Sequence, residues 1–384
     1  MRILVASFGP SNAHSGMGKW AHCMAETLRA RGHHVTVWSG EDFPGVQRQG
    51  RLAFLGFPVA LAARLVAHRR DFDAVVVHEP GGLWYAVLRR FFRSLPPMVL
   101  MCHNVESKVA GVMRGAERLG YARLPPWNRL SVRLLRSPLS DNAIRLADHV
   151  VCLSAEDVSY VATALGRGTG VTLNANGVAE SHFLERPFAP GGARVLFVGG
   201  WLDVKGRRLL PPIWALVRER RPDARLTIVG PVEPTSDIRA EFAPEHRDSV
   251  SVVNTVSTED EMVALYGAHD AFLMPSLTEA TSLAMMEAMA TGVPAVAART
   301  GGLPDVITHD VDGLLFAPYD VADAADLIVR VLGDPLTARR LSERGRDRVR
   351  TFTWAAAATR LESAMVRARE PGVTAAPTPG PHLG

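Results

Sequence analysis

Residues 270–298 read DAFLMPSLTEATSLAMMEAMATGVPAVAA, and this stretch decides the fold class. It opens with a short apolar run that ends at Met274, continues through a segment rich in Ala, Leu and Met, and closes with a second apolar run after Pro294. The short runs predict buried strands, and the longer segment predicts a helix that ends near Gly292. A strand, a helix and a strand in this order predict neighbouring parallel strands of an α/β protein.

The same alternation of strand-like and helix-like segments runs along the chain in two series. The first contains the apolar runs RILVASF, HHVTVWS, DAVVVHEP, PMVLMCHN and HVVCLS, and the second begins at ARVLFVGG and continues with ARLTIVG, VSVVN, DAFLMPS and PAVAA. A Gly- and Pro-rich stretch, SHFLERPFAPGGA, separates them. We therefore predict two Rossmann-like, doubly wound parallel-sheet domains, at residues 1–185 and 192–350, with ligands at the carboxyl ends of the strands.

One further helical stretch follows the second series. Residues 351–369 have no third sheet to pack on, so we expect this helix to cross back and cover the N-terminal domain. Residues 370–384 are rich in Pro and Gly and lack apolar periodicity, which predicts a disordered tail.

The composition is that of an ordinary globular protein, with 384 residues, 47% apolar and 21% charged. The N-terminus reads as a first strand rather than a secretory signal, and no apolar run approaches the ~18 residues of a membrane span. The three cysteines show no C-x-x-C spacing. These features predict a cytoplasmic protein. Residues 1–180 carry 21 Lys and Arg against 13 Asp and Glu, so a basic surface is expected on the N-terminal half.

Two glutamates mark the opening stretch as a candidate site. Thr281 or Ser282 is a suitable N-cap, and the backbone N–H groups of residues 281–283 are expected to favour an anion such as phosphate. Glu287 falls within the apolar helix, and Glu279 precedes it. A buried carboxylate needs hydrogen-bond donors, and either sugar hydroxyls or a buried arginine would supply them to Glu287.

The order of several motifs resembles that of the retaining GT-B glycosyltransferases of family four, over nearly the whole chain. Besides the two glutamates, the motifs are GMGKW, CHNVES, ADHVVCLSAED, NANGV, FVGGWLDVKG, LTIVG and ARTGGLPDVITHDVDGLLF. The resemblance implies two domains that face each other, a nucleotide sugar bound by the C-terminal domain, an acceptor bound by the N-terminal domain, and retention of anomeric configuration. No metal-ligand cluster or cofactor motif stands in the sequence, so we expect metal-independent transfer without a cofactor.

The resemblance also implies roles for individual residues of the C-terminal half. Glu287 would accept from the ribose hydroxyls, Glu279 from a hydroxyl of the donor sugar, and Lys205 would stabilise the leaving diphosphate. Relatives usually carry an arginine where this chain has Gly200, so Arg207 or Arg208 is expected to assist Lys205. The remaining donor-site residues implied in this half are Val256, through its backbone to the nucleobase, and Ala280, Thr281, Ser282 and Leu283.

In the N-terminal half the resemblance points to Gly16, Gly18 and His103. The two glycines stand between the first strand and the first helix, where the backbone can approach a phosphate or a sugar. The spacing is not that of the G-x-G-x-x-G dinucleotide fingerprint. His103 matches a histidine near the donor sugar; a structural role at the end of its strand is the alternative.

Residues 107–136 contain seven basic side chains, from Lys108 to Arg136, against one acidic residue, Glu117. This region could contact anionic lipid at the inner membrane face, as in relatives with lipid-linked acceptors, or an acidic soluble acceptor. A solvated surface is the alternative, because Pro125 and Pro126 are expected to break a long amphipathic helix. No nucleic-acid-binding module is present. The rival functions are a GT-B sugar-nucleotide epimerase, a nicotinamide-dependent oxidoreductase, and a catalytically silent nucleotide-sugar-binding subunit.

Overall fold

The computed structural model describes residues 1–9, 16–47, 53–183, 191–231 and 233–369. The chain divides into two compact units. The first contains Met1–Ala110, Pro125–Gly177 and the chain from Trp354 onward, and the second contains Gly111–Leu124 and Val178–Thr353. The predicted tail at 370–384 lies outside the described residues.

The first unit is built on a six-stranded parallel sheet in the order β2-β1-β3-β4-β5-β6. Its strands are β1 (Arg2–Ala6), β2 (His34–Trp38), β3 (Ala74–His78), β4 (Met98–Cys102), β5 (His149–Cys152) and β6 (Val171–Leu173). The two central strands, β3 and β4, are buried along their whole length. Both faces of a parallel sheet are covered, which explains the unbroken apolar runs in their sequence.

The second unit is built on another six-stranded parallel sheet, in the order β12-β11-β10-β7-β8-β9. Its strands are β7 (Arg194–Val198), β8 (Arg225–Val229), β9 (Val250–Val253), β10 (Ala271–Met274), β11 (Ala295–Ala298) and β12 (Leu314–Phe316). Each sheet is flanked by helices, so the predicted α/β class with two doubly wound parallel sheets is confirmed.

Sixteen α-helices lie in the described parts of the chain. They are α1 (Gly16–Ala30), α2 (Pro44–Gln47), α3 (Ala53–Ala67), α4 (Leu83–Phe91), α5 (Glu106–Arg118), α6 (Pro126–Ser131), α7 (Ser137–Leu146), α8 (Ala155–Thr163), α9 (Leu210–Arg220), α10 (Thr235–Ala240), α11 (Glu259–Gly267), α12 (Leu283–Ala290), α13 (Leu303–Val306), α14 (Val321–Gly333), α15 (Pro335–Val349) and α16 (Trp354–Arg369). Short 3₁₀ turns include Glu180–His182 and Asp203–Lys205, and a π-helical segment, Val132–Arg136, joins α6 to α7.

The strand-helix-strand unit of residues 270–298 forms as its sequence predicts. Strand β10 ends at Met274, α12 follows, and β11 pairs with β10 in parallel. Ser282 is the N-cap, because its hydroxyl accepts from the backbone N–H of Met285. Gly292 follows the helix with a φ of 86°, a left-handed conformation that glycine adopts without strain.

The helix α16 belongs to the first unit, where it packs on β4, β5 and α1. Its buried side chains are apolar: Trp354, Ala357, Ala358, Leu361, Ala364, Met365 and Ala368. Near the middle of the helix, Glu362 forms an ion pair with Arg31 and contacts His33. Within the ranges described, no helix combines the length and hydropathy needed to cross a bilayer.

The first unit is less continuous than the predicted domain at 1–185. Residues 111–124 belong to the second unit, because Ala116 and Ala122 are buried in its core and Val112, Met113 and Tyr121 pack against it. The ring of Tyr121 stacks on that of Tyr319 at 5.5 Å. Residues 178–183 also belong to the second unit.

Candidate functional site

Lys205 and Glu279 meet at the carboxyl ends of β7 and β10. The Nζ of Lys205 lies 2.5 Å from the Oε2 of Glu279, and the hydroxyl of Ser276 donates to the same oxygen at 3.2 Å. The turn that carries Lys205 is held against the end of β10 by Gly206, whose φ is 84° and where a Cβ would lie 2.2 Å from the carbonyl oxygen of Pro275. Glycine is therefore required for Lys205 to reach Glu279.

A second glycine fixes the backbone of Glu279. At Gly301, with a φ of 56°, a Cβ would lie 1.7 Å from the carbonyl oxygen of Glu279. The next residue, Gly302, donates its N–H to that same carbonyl at 2.9 Å. The TGG sequence after β11 therefore holds the loop that carries Glu279.

The start of α12, where the sequence predicts an anion-binding site, follows directly after the same loop. Ala280, Thr281 and Ser282 are buried, and Ser282 caps the helix. The N–H groups of Leu283 and Ala284 lie in the first turn, where an α-helix supplies no backbone acceptor. With Glu279 and Lys205 beside them, these groups form a small polar surface at the start of α12.

Glu287 is buried within α12 and accepts a hydrogen bond from a residue of its own unit. The hydroxyl of Tyr266 donates to Oε2 of Glu287 at 3.0 Å, and Nε2 of His182 lies 3.8 Å from the same oxygen. The structure thus adds two partners that the sequence analysis did not consider. Desolvation and the neighbouring carboxylate raise the pKa of the Tyr266 hydroxyl well above its usual value, so the tyrosine remains a donor.

The two arginines that were expected to assist Lys205 have other partners. Arg207 pairs with Glu241, and Arg208 lies 3.1 Å from Asp203. Each guanidinium group already has a carboxylate partner, as Lys205 does, and its assistance to Lys205 stays a prediction. At Gly200 an added Cβ would meet only Leu202 at 3.6 Å, an ordinary contact. Val256 lies half-buried three residues after β9.

In the first unit, Gly16 and Gly18 form the first turn of α1 rather than a loop before it. Gly16 is exposed and has open space beside it, whereas Gly18 is buried. The residues between β1 and α1, 10–15, lie outside the described ranges.

His103 follows β4 directly and lies against a second histidine that the sequence analysis missed. Its Nε2 is 3.2 Å from Nδ1 of His78, the last residue of β3. Burial lowers the pKa of His103 to about 4. Burial, and then the charge of His103, lower the pKa of His78 well below its usual value. Both rings are therefore neutral near pH 7.

Glu79 is a second residue that the sequence analysis missed at the end of β3. One of its oxygens accepts from the hydroxyl of Ser140 and from the N–H of Glu106, and the other is buried without a partner among the described residues. Burial raises the pKa of this carboxyl to about 7. The sequence HEP was the available signal, because it stands at the end of the strand-like run that directly precedes the run leading to His103.

The basic region at 107–136 differs from the expected surface in two respects. Lys108 is buried, and its Nζ lies 2.7 Å from Asp157, so it does not contribute to a basic surface. Helix α5 ends at Arg118, so the region is not one long helix, as Pro125 and Pro126 predicted, but Pro126 begins a second helical stretch that continues to Leu146. Trp127, Leu130 and Leu134 are 46%, 52% and 58% exposed on this stretch.

Among the residues that the structure describes, no group of three His, Cys, Asp or Glu side chains could hold a metal ion.

Family models match both halves of the chain. The model described as Glycosyltransferase Family 4 matches residues 14–182, and the model described as Glycosyl transferases group 1 matches residues 192–334. The chain belongs to the family 4 glycosyltransferases.

Curated relatives of this family 4 glycosyltransferase include a D-inositol 3-phosphate glycosyltransferase of Pseudarthrobacter chlorophenolicus. It is 36% identical over 45% of this chain and 43% of its own length. The chain thus spans less than half the length of the first curated relatives that it matches. An MMP alpha-(1->4)-mannosyltransferase of Mycolicibacterium hassiacum is 25% identical over 92% of this chain and 95% of its own.

Solved structures show the same fold at low identity. A sucrose-phosphate synthase from Thermosynechococcus elongatus has a TM-score of 0.72 at 21% identity, over 94% of this chain and 98% of its own. Anabaena HepE, solved in complex with UDP and glucose, has a TM-score of 0.70 at 17% identity, over 95% and 100%. The GT-B fold that the motifs implied is confirmed.

Proposed function

We propose that this chain is a retaining glycosyltransferase that moves a sugar from a nucleoside-diphosphate sugar to an acceptor hydroxyl, without a metal or a resident cofactor. The observation that carries the proposal is the Lys205–Glu279 pair at the start of α12, which joins a cation, a carboxylate and helix N–H groups. Natural-product or cell-surface glycan biosynthesis would use such a reaction.

The proposed chemistry follows from the charge that develops on the donor. As the glycosidic bond breaks, the nucleoside diphosphate gains negative charge, which Lys205 and the N–H groups of α12 would stabilise. Glu279 would accept from a hydroxyl of the transferred sugar and Glu287 from the ribose. The acceptor hydroxyl would attack the face that the diphosphate leaves, and the diphosphate would take its proton.

Other residues would shape the donor site. Val256 is assigned to the nucleobase, and Gly16, Gly18 and His103 to the diphosphate and the sugar. Ala280, Thr281 and Ser282 add side chains where many relatives have little bulk. We therefore propose a donor other than UDP-glucose, for instance an amino or deoxy sugar.

A thermal-shift screen with UDP, GDP, dTDP and ADP and their sugar conjugates tests the donor site, because a ligand that binds the native state raises Tm. One nucleotide should raise Tm in the wild type and much less in Glu287→Gln. Glu245→Gln, at an exposed position of the same unit, should respond as the wild type does. If no nucleotide raises Tm, the donor-site assignment is wrong.

Turnover assays separate the rival activities. Release of nucleoside diphosphate that depends on an acceptor, with activity retained in EDTA, supports metal-independent transfer. Acceptor-independent conversion of the donor to its epimer would favour the sugar-nucleotide epimerase. Nucleotide binding without turnover for any donor or acceptor would favour a silent subunit.

We also propose that the acceptor is lipid-linked and that the first unit contacts an anionic membrane surface. Trp127, Leu130 and Leu134 have helical spacing and are exposed, and Arg129 and Arg133 stand between them. An apolar stripe flanked by arginines is the chemistry that binds such surfaces.

Liposome sedimentation at low and high salt tests this contact. Vesicles with anionic lipid should retain the wild type more than neutral vesicles do, and Trp127→Ser with Leu130→Ser should weaken the retention. Phe91→Ser, at another exposed apolar position of the first unit, is the control and should retain binding. Equal retention by neutral and anionic vesicles would contradict the contact with an anionic membrane and would favour a soluble acceptor.

A further inference from the structure

Two neighbouring strands of the first unit bring His78 and His103 together. Strands β3 and β4 are parallel and in register, with His78 opposite Met101, so their carboxyl ends lie at one edge of the sheet. The two imidazole rings are 4.6 Å apart between centroids, and the 3.2 Å separation of His78 Nδ1 and His103 Nε2 is that of a hydrogen bond.

Trp20 fixes the orientation of both rings. Its indole is fully buried in α1 and makes edge-to-face contacts with His78 at 4.9 Å and with His103 at 5.7 Å. An aromatic wall in contact with both rings restricts their rotation. The nitrogen–nitrogen contact is therefore a defined feature of the packed core rather than one of several rotamers.

Because both rings are neutral, one nitrogen of the contact carries a hydrogen and the other a lone pair. The other ring nitrogen of His78, Nε2, indicates which of the two facing nitrogens carries the hydrogen. It is buried and has no hydrogen-bond partner among the described residues. A hydrogen on Nε2 would leave a buried N–H donor unpaired, which is rarer and more costly than an unused lone pair.

The hydrogen of His78 therefore lies on Nδ1 and is donated to Nε2 of His103. A neutral imidazole carries a single ring hydrogen, so that of His103 lies on its Nδ1. The structure records no partner for Nδ1 of His103 within the described residues, and the side chain is half-buried.

We propose that His78 is a positioning residue that holds His103 as the Nδ1–H tautomer, so that His103 presents a neutral N–H donor to an oxygen of the substrate. The inference about the substrate rests on the proposed function. The tautomer itself does not, since it is a property of the protein alone. In many functional sites, the hydrogen bond that one ring nitrogen of a histidine makes determines whether the other nitrogen carries a hydrogen.

The tautomer can be measured directly. Protein labelled with ¹⁵N-histidine is examined near pH 7.5 by long-range ¹H–¹⁵N correlation, and His103 is assigned from the signal lost in His103→Gln. A protonated-type shift at Nδ1 and a lone-pair-type shift at Nε2 are expected in the wild type. A proton on Nε2 of His103 would overturn the proposal, whether or not any nucleotide sugar is turned over.

Variants test whether His78 acts through His103. His78→Phe keeps a ring but removes the donor, and we expect kcat to fall roughly tenfold with little change in KM, since one hydrogen bond is lost. His78→Asn can again donate from the position of Nδ1 and should recover most of the rate. In a His103→Ala background, His78→Phe should cost nothing further.

Additive losses in the double variant would show that His78 acts independently of His103 and would overturn the positioning role. The proposal would also be overturned if His78→Phe kept the wild-type tautomer of His103 and turned over at the same rate as His78→Asn. If His78→Phe does not fold, the wild-type spectrum and the His78→Asn rate still decide the matter.

Discussion

At the scale of single residues, Lys205 and Glu279 form an ion pair with each other. In the proposed reaction they contact different parts of the donor, the diphosphate and a sugar hydroxyl. The carboxylate is buried and the ammonium partly exposed. A diphosphate must draw Lys205 away from Glu279, and a sugar hydroxyl must then compensate the carboxylate. In the proposed reaction, binding of the two halves of the donor would thus be coupled through this pair.

Lys205→Met should weaken binding of the stabilising nucleotide diphosphate by roughly 10- to 100-fold, the range expected when a charge-assisted hydrogen bond is lost. Isothermal titration calorimetry measures this. Arg207→Met is the matched control, because Arg207 lies in the same loop but pairs with Glu241. Equal losses of affinity in both variants would show that only the net positive charge of the loop matters, and that Lys205 has no specific role in binding the diphosphate.

Glu79→Gln should change how stability depends on pH. The pKa of Glu79 is raised from 4.5 to about 7, so between these values the folded state holds more protons than the unfolded state. Stability from this group is therefore present below pH 4.5 and is lost as pH rises to about 7, by up to about 3 kcal/mol.

The expected result is a Tm for Glu79→Gln that exceeds the wild-type value by more at pH 8 than at pH 5. Histidines that are neutral in the folded state change stability in the opposite direction over an overlapping range, but they are common to both proteins and cancel in the difference. Glu26→Gln, at an exposed position of α1, should show a constant offset. A constant offset for Glu79→Gln as well would show that Glu79 has an ordinary pKa.

At the scale of elements, the loop before α12 depends on the turn that follows β11. Gly301→Ala would place a methyl group against the carbonyl of Glu279 at a positive φ, so we expect a loss of at least ~2 kcal/mol and weaker nucleotide binding. Gly115→Ala is the control, since α5 has open space there and alanine favours a helix by up to ~1 kcal/mol. Equal Tm values for Gly301→Ala and the wild type would mean that this turn does not hold the loop.

The helix α12 shows what a sequence can predict about a site. Its flanking strands and the terminating Gly292 follow from local rules of periodicity and capping, and the structure confirms them; of the two N-caps that these rules allowed, Thr281 or Ser282, the structure has Ser282. The partners of Glu287 do not follow, because Tyr266 and His182 come from α11 and a distant turn. Local patterns indicate that a buried carboxylate needs donors, but only tertiary packing selects them.

The His78–His103 pair was missed for a related reason. His103 was found from its motif, whereas His78, the last residue of β3, and Glu79, which follows it, belong to none of the motifs on which the resemblance rests. The sheet order β1-β3-β4 sets β3 beside β4, and this adjacency brings the two histidines together. Alternation favours pairing of consecutive parallel strands, but it does not state which side chains at their carboxyl ends come into contact.

At the scale of the whole molecule, the first unit depends on a helix supplied by the end of the described chain. Leu361→Ala should cost ~2–5 kcal/mol, because Leu361 is fully buried in α16. Hydrogen exchange should speed up in β4 and β5, on which α16 packs, and not in β10 or β11. Val366→Ala, at an exposed position of the same helix, should change stability by less than ~0.5 kcal/mol. Uniform acceleration in both sheets would show that the two units unfold together.

The two sheets were predictable, since each series of strands is contiguous in sequence, whereas the main segment of the second unit begins at Val178, inside the domain predicted at 1–185. The transfer of residues 111–124 to the second unit was not predictable. Val112, Met113 and Ala116 have the spacing of any helix stripe, and nothing local states which core that stripe joins.

The discontinuity of the first unit sets an order of events on the ribosome. Domains usually fold from the N-terminus as they are synthesised. Here Gly111–Leu124 and Val178–Thr353 are both complete before Trp354–Arg369 is translated, so the second unit can bury its core while β4 and β5 still lack their covering helix. A nascent chain arrested once Thr353 has left the exit tunnel should therefore resist protease in its later half and remain open to cleavage in its earlier half.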